Sequence, residues 1–192
     1  MANVTPPDRL HFSGDPEGDA FLAAEALALL VGFELDQQVT VQKAFSGPLE
    51  LSRRLGHLDA RRIADMDPQS LDAVFREQPA LHRFPGAMAE RVQALCRAIA
   101  EGYDGDAERV WADARDGPDL RARLLALPGI GEMKADSITA ILARRYALDL
   151  PGLDAVLPKH PTLGDVDSPE ALEQYQAGKR ARKAALRAST GT

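Results

Sequence analysis

The amino-acid sequence predicts an all-α protein. Apolar side chains recur every three or four residues along almost the whole chain, as they do on one face of a helix. No segment of useful length alternates apolar and polar residues, as a half-buried strand would. Helix-starting pairs such as Asp67-Pro68 and helix-ending glycines such as Gly56 divide this pattern into ten or so helices.

Five helical segments are predicted in the first half of the chain. The first is apolar on nearly every side, which indicates that it is buried. The second ends at a break, Ser46-Gly47-Pro48, after which the helical pattern resumes up to Gly56. Asp59 is the predicted N-cap of the fourth segment, and Asp67-Pro68 starts the fifth. The segments cover residues 19–35, 40–45, 49–55, 59–66 and 67–75.

The second half contains five more predicted helices, each with a start signal. A turn at Phe84-Pro85-Gly86 precedes the first, Asp106 caps the second, and Gly117-Pro118 precedes the third. A glycine turn joins the third helix to the fourth, and Ser168-Pro169-Glu170 starts the last. Three prolines make residues 149–163 irregular. The helices cover residues 87–102, 120–127, 132–146 and 168–188, with a shorter one around Val110 and Trp111.

The size and composition of the chain favour one compact module without a membrane span. Its 192 residues are 45% hydrophobic, which is enough to bury a core, and no run of 18 apolar residues is present. The first 14 residues lack the basic-then-apolar pattern of a signal peptide, so a cytoplasmic location is expected. Cys96 is the only cysteine, which excludes an intramolecular disulfide and any metal site built from several cysteines of this chain.

The formal net charge of -6 argues at first sight against a nucleic-acid partner. The excess acid lies in residues 1–80, which carry a net charge of -6, whereas residues 151–192 carry +1. Local charge decides contact with a phosphate backbone, so the total does not exclude DNA. No acidic residue follows Glu173, and the basic residues of that tail are Lys179, Arg180, Arg182, Lys183 and Arg187.

The most informative segment is the turn Leu127-Pro128-Gly129-Ile130-Gly131 between two predicted helices. Glycines allow positive φ angles and let another backbone approach closely. The start of the second helix offers unpaired N–H groups and the positive end of a dipole, which suit a DNA phosphate. Such a contact positions a protein on DNA without reading its sequence. An ordinary helical hairpin with a glycine turn is the structural alternative.

The longer string Leu-Pro-Gly-Ile-Gly-x-x-x-Ala at residues 127–135 resembles the hairpin of the helix-hairpin-helix DNA glycosylase superfamily. Residues 35–44 and 83–92 resemble two further segments of that superfamily in the same order, so the likeness covers about residues 20–157. The likeness implies a two-lobed helical bundle in its short form, without an iron–sulfur cluster. The same resemblance implies that residues 1–192 form a single module. Its central lobe would span about residues 30–125 and its helix-hairpin-helix residues 120–146, with the N-terminal segment and residues 147–192 forming the second lobe.

This resemblance also implies a chemistry. Enzymes of this kind flip a damaged base out of the duplex and cut its N-glycosidic bond, with an aspartate that stabilises the cationic sugar. By position that residue is Asp154, with Asp149 as the alternative, although a solvated loop or helix-capping role for Asp154 is also open. Lyase-type relatives have a nucleophilic lysine two positions after the second glycine, where this chain has Met133. A monofunctional enzyme that uses water is therefore implied, with Lys134 as a phosphate contact or a plain surface residue.

The remaining implied residues surround the same turn. Gln38 matches a position that fills the gap left by the flipped base, and Gln37 is its competitor. Asp36 either lines the pocket or caps the next helix. The backbone carbonyls of Leu127 and Gly129 are implied ligands of a monovalent cation. The expected DNA-binding set is Gly129, Ile130, Gly131, Lys134 and Gln38, and the expected pocket set is Asp36, Gln37 and Met133.

The predicted function is therefore a monofunctional DNA glycosylase of base excision repair, with alkylated purines favoured as substrates. Its partner is double-stranded DNA with a damaged base, and the chain is expected to be a monomer without a cofactor, apart from the cation. Activity on uracil or mismatches is one alternative. A non-catalytic DNA-binding protein with the same hairpin is a second, and a helical protein-interaction module is a third.

Overall fold

The computed structural model describes residues 4–190, apart from the side chains of Lys183 and of residues 186–190. Over this range the chain is all-α, with eleven α-helices, one 3-10 turn and no strand. None of these helices is long and apolar enough to cross a membrane. The helices are α1 Pro16–Ala24, α2 Ala26–Leu35, α3 Val41–Leu55, α4 Ala60–Ala64, α5 Pro68–Arg76, α6 Pro85–Gly102, α7 Arg109–Ala112, α8 Gly117–Leu125, α9 Glu132–Arg145, α10 Leu153–Val156 and α11 Pro169–Thr190, and the 3-10 turn is Leu163–Asp165.

Helix α2 is the most buried element of the first six helices. All of its residues except the first are buried, because its sequence is apolar on nearly every side. It packs against α3 and α6, and α4 and α5 also pack against α6. The rings of Phe33 on α2 and Phe45 on α3 meet edge to face at 5.1 Å. Gly47 lets these two helices approach closely, since a Cβ atom there would lie 2.4 Å from Leu35 Cδ1.

The later helices form a second group around the hairpin of α8 and α9. Helices α7 and α10 pack against α8, and the 3-10 turn packs against α9. Helix α11 starts on that 3-10 turn, where Leu172 is buried. The two groups of helices share one continuous hydrophobic core. They meet at the end of α9, where the Tyr146 hydroxyl donates to the carbonyls of Leu22 (3.2 Å) and Ala23 (3.0 Å), and again at the hairpin turn.

Two predicted boundaries in the first half of the chain are wrong. Residues 19–35 form two helices, because Glu25 is extended (φ -109°, ψ 106°) and turns the chain between α1 and the buried α2. The break predicted at residues 46–48 does not occur, because α3 is continuous and contains Pro48. Helix α3 continues through Pro48 although this residue has no backbone N–H to donate, and the neighbouring Gly47 packs closely against α2.

Boundaries in the second half also need correction. Asp106 accepts from the Glu108 N–H at 3.0 Å, but α7 itself begins only at Arg109. Gly117-Pro118 is the first turn of α8, and Asp116 is its N-cap. A proline is tolerated there, because the N–H groups of a first helical turn have no partner within the helix. The segment predicted to be irregular, residues 149–163, contains the one-turn helix α10.

Candidate functional site

The hairpin turn presents the start of α9 with free N–H groups. Gly129 lies in the left-handed region (φ 76°), and the Ile130 N–H donates back to the Leu127 carbonyl at 3.2 Å. Gly131 is the N-cap of α9, and no side chain caps this helix. Within residues 4–190, no group of the protein accepts a hydrogen bond from the N–H of Gly131, Glu132 or Met133. These three donors are therefore available to an anion.

A buried carboxylate lies directly beneath this turn. The side chain of Glu34, near the end of α2, is fully buried, and a Cβ atom on Gly129 would lie 1.8 Å from its Oε2. Neither carboxylate oxygen has a hydrogen-bond partner among the described residues. Among the described residues, the cations within 4 Å are Lys134 Nζ and Arg91 Nη1, each 3.8 Å away. Burial raises the pKa of Glu34, and the two cations oppose that shift.

Lys134 and Arg91 connect the hairpin to the first group of helices. Lys134 Nζ donates to the Gly129 carbonyl at 3.0 Å, and its side chain is only 18% exposed. Burial lowers the pKa of Lys134, and the nearby carboxylates of Glu34 and Asp36 oppose that shift. Arg91 on α6 donates to Gln37 Oε1 at 2.8 Å, and Gln37 Nε2 donates to the Glu34 carbonyl at 3.3 Å. Charge and hydrogen bonds thus join α2, α6 and α9 at the turn.

The loop after α2 is held from the side of α6. His82 is buried; its Nδ1 accepts from the Phe84 N–H at 3.0 Å, so its Nε2 carries the proton and donates to the Gln37 carbonyl at 3.1 Å. Burial lowers the pKa of His82, which keeps the ring neutral in this arrangement. Gln38, next in the loop, is exposed and has a positive φ of 56°. The loop therefore presents the Gln38 side chain to solvent from a fixed backbone.

Asp36 lines a cleft between the loop after α2 and helix α11. It does not cap α3, because Thr40 does so by accepting from the Lys43 N–H at 3.2 Å. Burial raises the pKa of Asp36, and the charges of Lys179 and Lys134 oppose that shift. We call the space beside it the α11 cleft; its volume is about 270 Å³, and it is lined by Asp36, Val39, Thr40, Val41, Gln176, Lys179 and Arg180.

The two aspartates predicted to be catalytic lie at the other end of the hairpin. Asp154 is exposed on α10, and Asp149 is exposed just after α9. The segment that leads into α10 is bound to the first residue of α8, where the Gly117 N–H donates to the Pro151 carbonyl at 2.9 Å. Helix α8 then continues for nine residues before the turn, a rise of about 13 Å at 1.5 Å per residue. The structure thus does not bring these carboxylates to the hairpin turn.

The structure also refines the predicted set around the turn. Only Gly129 uses a positive φ, whereas Gly131 has a φ of -86°, and a Cβ atom added to Gly131 would have no described atom within 4 Å. The Ile130 side chain is buried, so only its backbone faces the turn. Lys134 is not a plain surface residue. Its ammonium group donates a hydrogen bond to the Gly129 carbonyl, and a monovalent cation bound there would be repelled by this like charge.

The remaining predicted residues differ in how exposed their side chains are. Gln37 is half-buried, and both ends of its amide are used within the protein, whereas Gln38 is exposed. This difference favours Gln38 over Gln37 as the residue that contacts a partner. Met133 is 72% exposed on the first turn of α9. Leu127 is buried, and the cation site predicted from its carbonyl stays a prediction.

Sequence reasoning missed Glu34, the residue most deeply involved in the site. A signal was present, since Glu34 is the one charged residue in the otherwise apolar α2 segment ALALLVGFEL. Glutamate is almost never fully buried unless it has a charged partner. A carboxylate predicted at the centre of a buried helix therefore required cations from elsewhere in the chain.

No protein-family model, curated protein or solved structure matches this chain in the comparisons.

The fit between Gly129 and Glu34 predicts different effects for the two glycines of the turn. Gly129→Ala should lower the free energy of unfolding by about 2 kcal/mol or more, from the left-handed φ and the clash with the enclosed Glu34 carboxylate. Gly131→Ala is the matched control, because its backbone is extended and the space around it is open. Denaturant unfolding measures both variants. Equal stability of the two would contradict the placement of Glu34 under the turn.

The buried carboxyl of Glu34 predicts a pH-dependent stability difference. Its folded pKa is raised, so the wild-type protein loses stability as the pH rises from about 4.5 through that folded pKa. Glu34→Gln removes this titration. Its unfolding free energy relative to wild type should therefore rise with pH in that window, by up to about 1.4 kcal/mol per pH unit.

Thermal unfolding at pH 4 to 8 measures this difference. Glu25→Gln makes the same chemical change at the exposed start of α2 and serves as the control. A difference between Glu34→Gln and wild type that falls with rising pH would show that the pKa of Glu34 is lowered, not raised.

Proposed function

We propose that this protein binds double-stranded DNA through the turn between α8 and α9 and removes a damaged base as a monofunctional DNA glycosylase of base excision repair. One observation carries the proposal. The free N–H groups at the start of α9 lie on a turn fixed from beneath by Glu34. Asp36, two residues further along the chain, interacts with the charge of Lys134 on α9 and lines the α11 cleft. An anion-binding helix start thus lies close to a carboxylate in a concave site.

The proposed DNA contact is small and local. A phosphate on the N–H groups of Gly131, Glu132 and Met133 would be stabilised by the α9 dipole and by the partly exposed Lys134. Arg83, whose guanidinium group lies 4.7 Å from the centre of the exposed Phe84 ring, extends this surface beside Gln38. A net charge of -6 limits further phosphate contacts. We therefore expect modest affinity for undamaged duplex that falls as the salt concentration rises.

A glycosylase-like, two-lobed arrangement is part of this proposal. The helices within residues 16–102 and those within residues 109–190 pack largely among themselves. The two groups meet at the hairpin turn and at Tyr146. A duplex docked on the turn would lie along this boundary, where a base rotated out of the helix could enter the protein.

The proposed chemistry assigns the acting carboxylate to Asp36 instead of Asp154 or Asp149. As the bond between C1′ of the sugar and the base nitrogen breaks, its electrons leave with the base, and positive charge develops on the sugar. A nearby carboxylate stabilises that charge, and water adds to C1′ and loses a proton to the carboxylate or to solvent. An alkylated purine, which is cationic in the duplex, leaves as the neutral base. Met133 occupies the position of a lysine nucleophile, so no covalent amine intermediate is expected. Alkylated purines, whose glycosidic bond is weakened, are the favoured substrates.

A non-catalytic DNA-binding protein is the second candidate function. It is favoured by the exposure of Asp154 and Asp149 and by their position at the far end of the hairpin. Both candidates require the same DNA contact, and only the first requires base release.

The proposal predicts that purified protein releases 7-methylguanine or 3-methyladenine from a duplex. Asp36→Asn should reduce single-turnover release at least 100-fold, since electrostatic groups of this kind contribute 10²–10³ in rate. Asp154→Asn and Asp149→Asn should retain release within a few fold. Duplexes that carry uracil or 8-oxoguanine test the alternative substrates, and affinity measured at several salt concentrations tests DNA binding.

Each other outcome points to a different candidate. Salt-dependent binding without release of any base indicates the non-catalytic protein. Loss of release in Asp154→Asn but not in Asp36→Asn would reverse the assignment of the carboxylate. Absence of salt-dependent affinity for DNA would leave the protein-interaction module and overturn the proposal.

A further inference from the structure

The α11 cleft combines three kinds of surface in a small volume. Val39 and Val41 give it apolar surface, and Asp36 adds a partly buried carboxyl group. Lys179 and Arg180 line it from α11, where both are exposed. A nucleotide needs apolar surface for its base, a polar group beside its sugar and cations for its phosphate. The α11 cleft provides all three.

We propose that the α11 cleft is the binding site of a single purine nucleotide, with the base against the valines, the sugar beside Asp36 and the phosphate on Lys179 and Arg180. This inference rests on the proposed function, because the nucleotide would be the one rotated out of a duplex docked on the hairpin turn. It assigns to α11 a role in substrate binding that neither the hairpin nor the first group of helices supplies.

The position of Asp36 links the cleft to the hairpin. Asp36 follows Glu34 by two residues, and Glu34 lies under Gly129. Lys134 and Lys179 both act on the Asp36 carboxyl, Lys134 from the hairpin and Lys179 from α11. Burial raises the pKa of Asp36, and both lysines favour its charged form, which is the form that the proposed chemistry requires. Asp36 is thus the residue through which the cleft and the hairpin interact.

The charge of α11 suits the phosphate of such a nucleotide. After Glu173 this helix carries no acid, and Lys179 and Arg180 lie on its exposed part beyond the buried Leu172. Tyr175 is half-buried, with the Lys179 ammonium 6.0 Å from the centre of its ring. The first turns of α11 therefore fix the helix on the protein, and the next turns present the two cations to the cleft. Two adjacent cations on a partly buried helix are a fitting partner for one phosphate group.

Nuclear magnetic resonance of the ¹⁵N-labelled full chain tests this assignment with 2′-deoxyguanosine 5′-monophosphate as the probe. We expect shifts of the backbone amides of residues 36, 39–41, 176, 179 and 180. Lys179→Glu/Arg180→Glu should raise the dissociation constant at least fivefold, and Asp36→Asn should reduce the shifts at residues 39–41. Inorganic phosphate alone should move only residues 179 and 180, and deoxyguanosine alone only the base side.

The control variant Arg62→Glu/Lys159→Glu makes the same change in charge at exposed positions outside the cleft and should bind the nucleotide like wild type. Thermal unfolding confirms that each variant is folded. Nucleotide shifts outside the cleft, or equal weakening in the control variant, would overturn the assignment.

Duplex affinity measured on the same samples separates this inference from the proposed function. Salt-dependent duplex binding without nucleotide binding in the cleft would overturn the cleft assignment alone. Nucleotide binding in the cleft without any duplex affinity would overturn the proposed function, and with it the claim that the nucleotide comes from a duplex.

Discussion

The candidate site depends on one interaction, the packing of the buried Glu34 carboxylate against Gly129. It has no hydrogen bond among the described residues, and a buried polar group in that condition costs about 1–3 kcal/mol. Glu34 lies where α2, α6 and the hairpin meet. The positive charges of Lys134 and Arg91, each 3.8 Å away, offset part of this unfavourable free energy. Because the carboxylate occupies the space where a Cβ would lie, the turn requires glycine there. The same contact fixes the free N–H groups of α9 in relation to the loop that carries Asp36 and Gln38.

The all-α class and the helical hairpin can be predicted from the sequence, because both depend on local signals. Apolar periodicity and caps such as Asp59 and Asp67 specify helices within a few residues. The errors occurred where packing decided the outcome. Pro48 lies inside a continuous helix in which Gly47 packs on Leu35, and an extended Glu25 divides a segment that periodicity predicts to be continuous. The contact between Gly47 and Leu35 joins two helices, so local sequence signals do not reveal it.

The site was harder to predict than the fold, because its members are far apart in the chain. The resemblance indicates Gly129 and Gln38, but Glu34, Arg91 and His82 have partners about 45 to 100 residues away in the chain. Distance along the chain from the hairpin predicts Asp154, whereas α10 lies by the opposite end of α8. The net charge of the chain is likewise a poor guide to the charge at the site. The net charge of -6 says little about the turn, where backbone N–H groups and Lys134 determine the local field.

The central claim is that the hairpin turn and the loop of Asp36 and Gln38 form one DNA-contacting surface. Hydrogen–deuterium exchange of the full chain, with and without a saturating duplex that contains an abasic-site analogue, tests it most directly. The account predicts slower exchange of the backbone amides in residues 128–135 and 36–41 on addition of the duplex. Protection confined to other helices, or no protection at all, would contradict it.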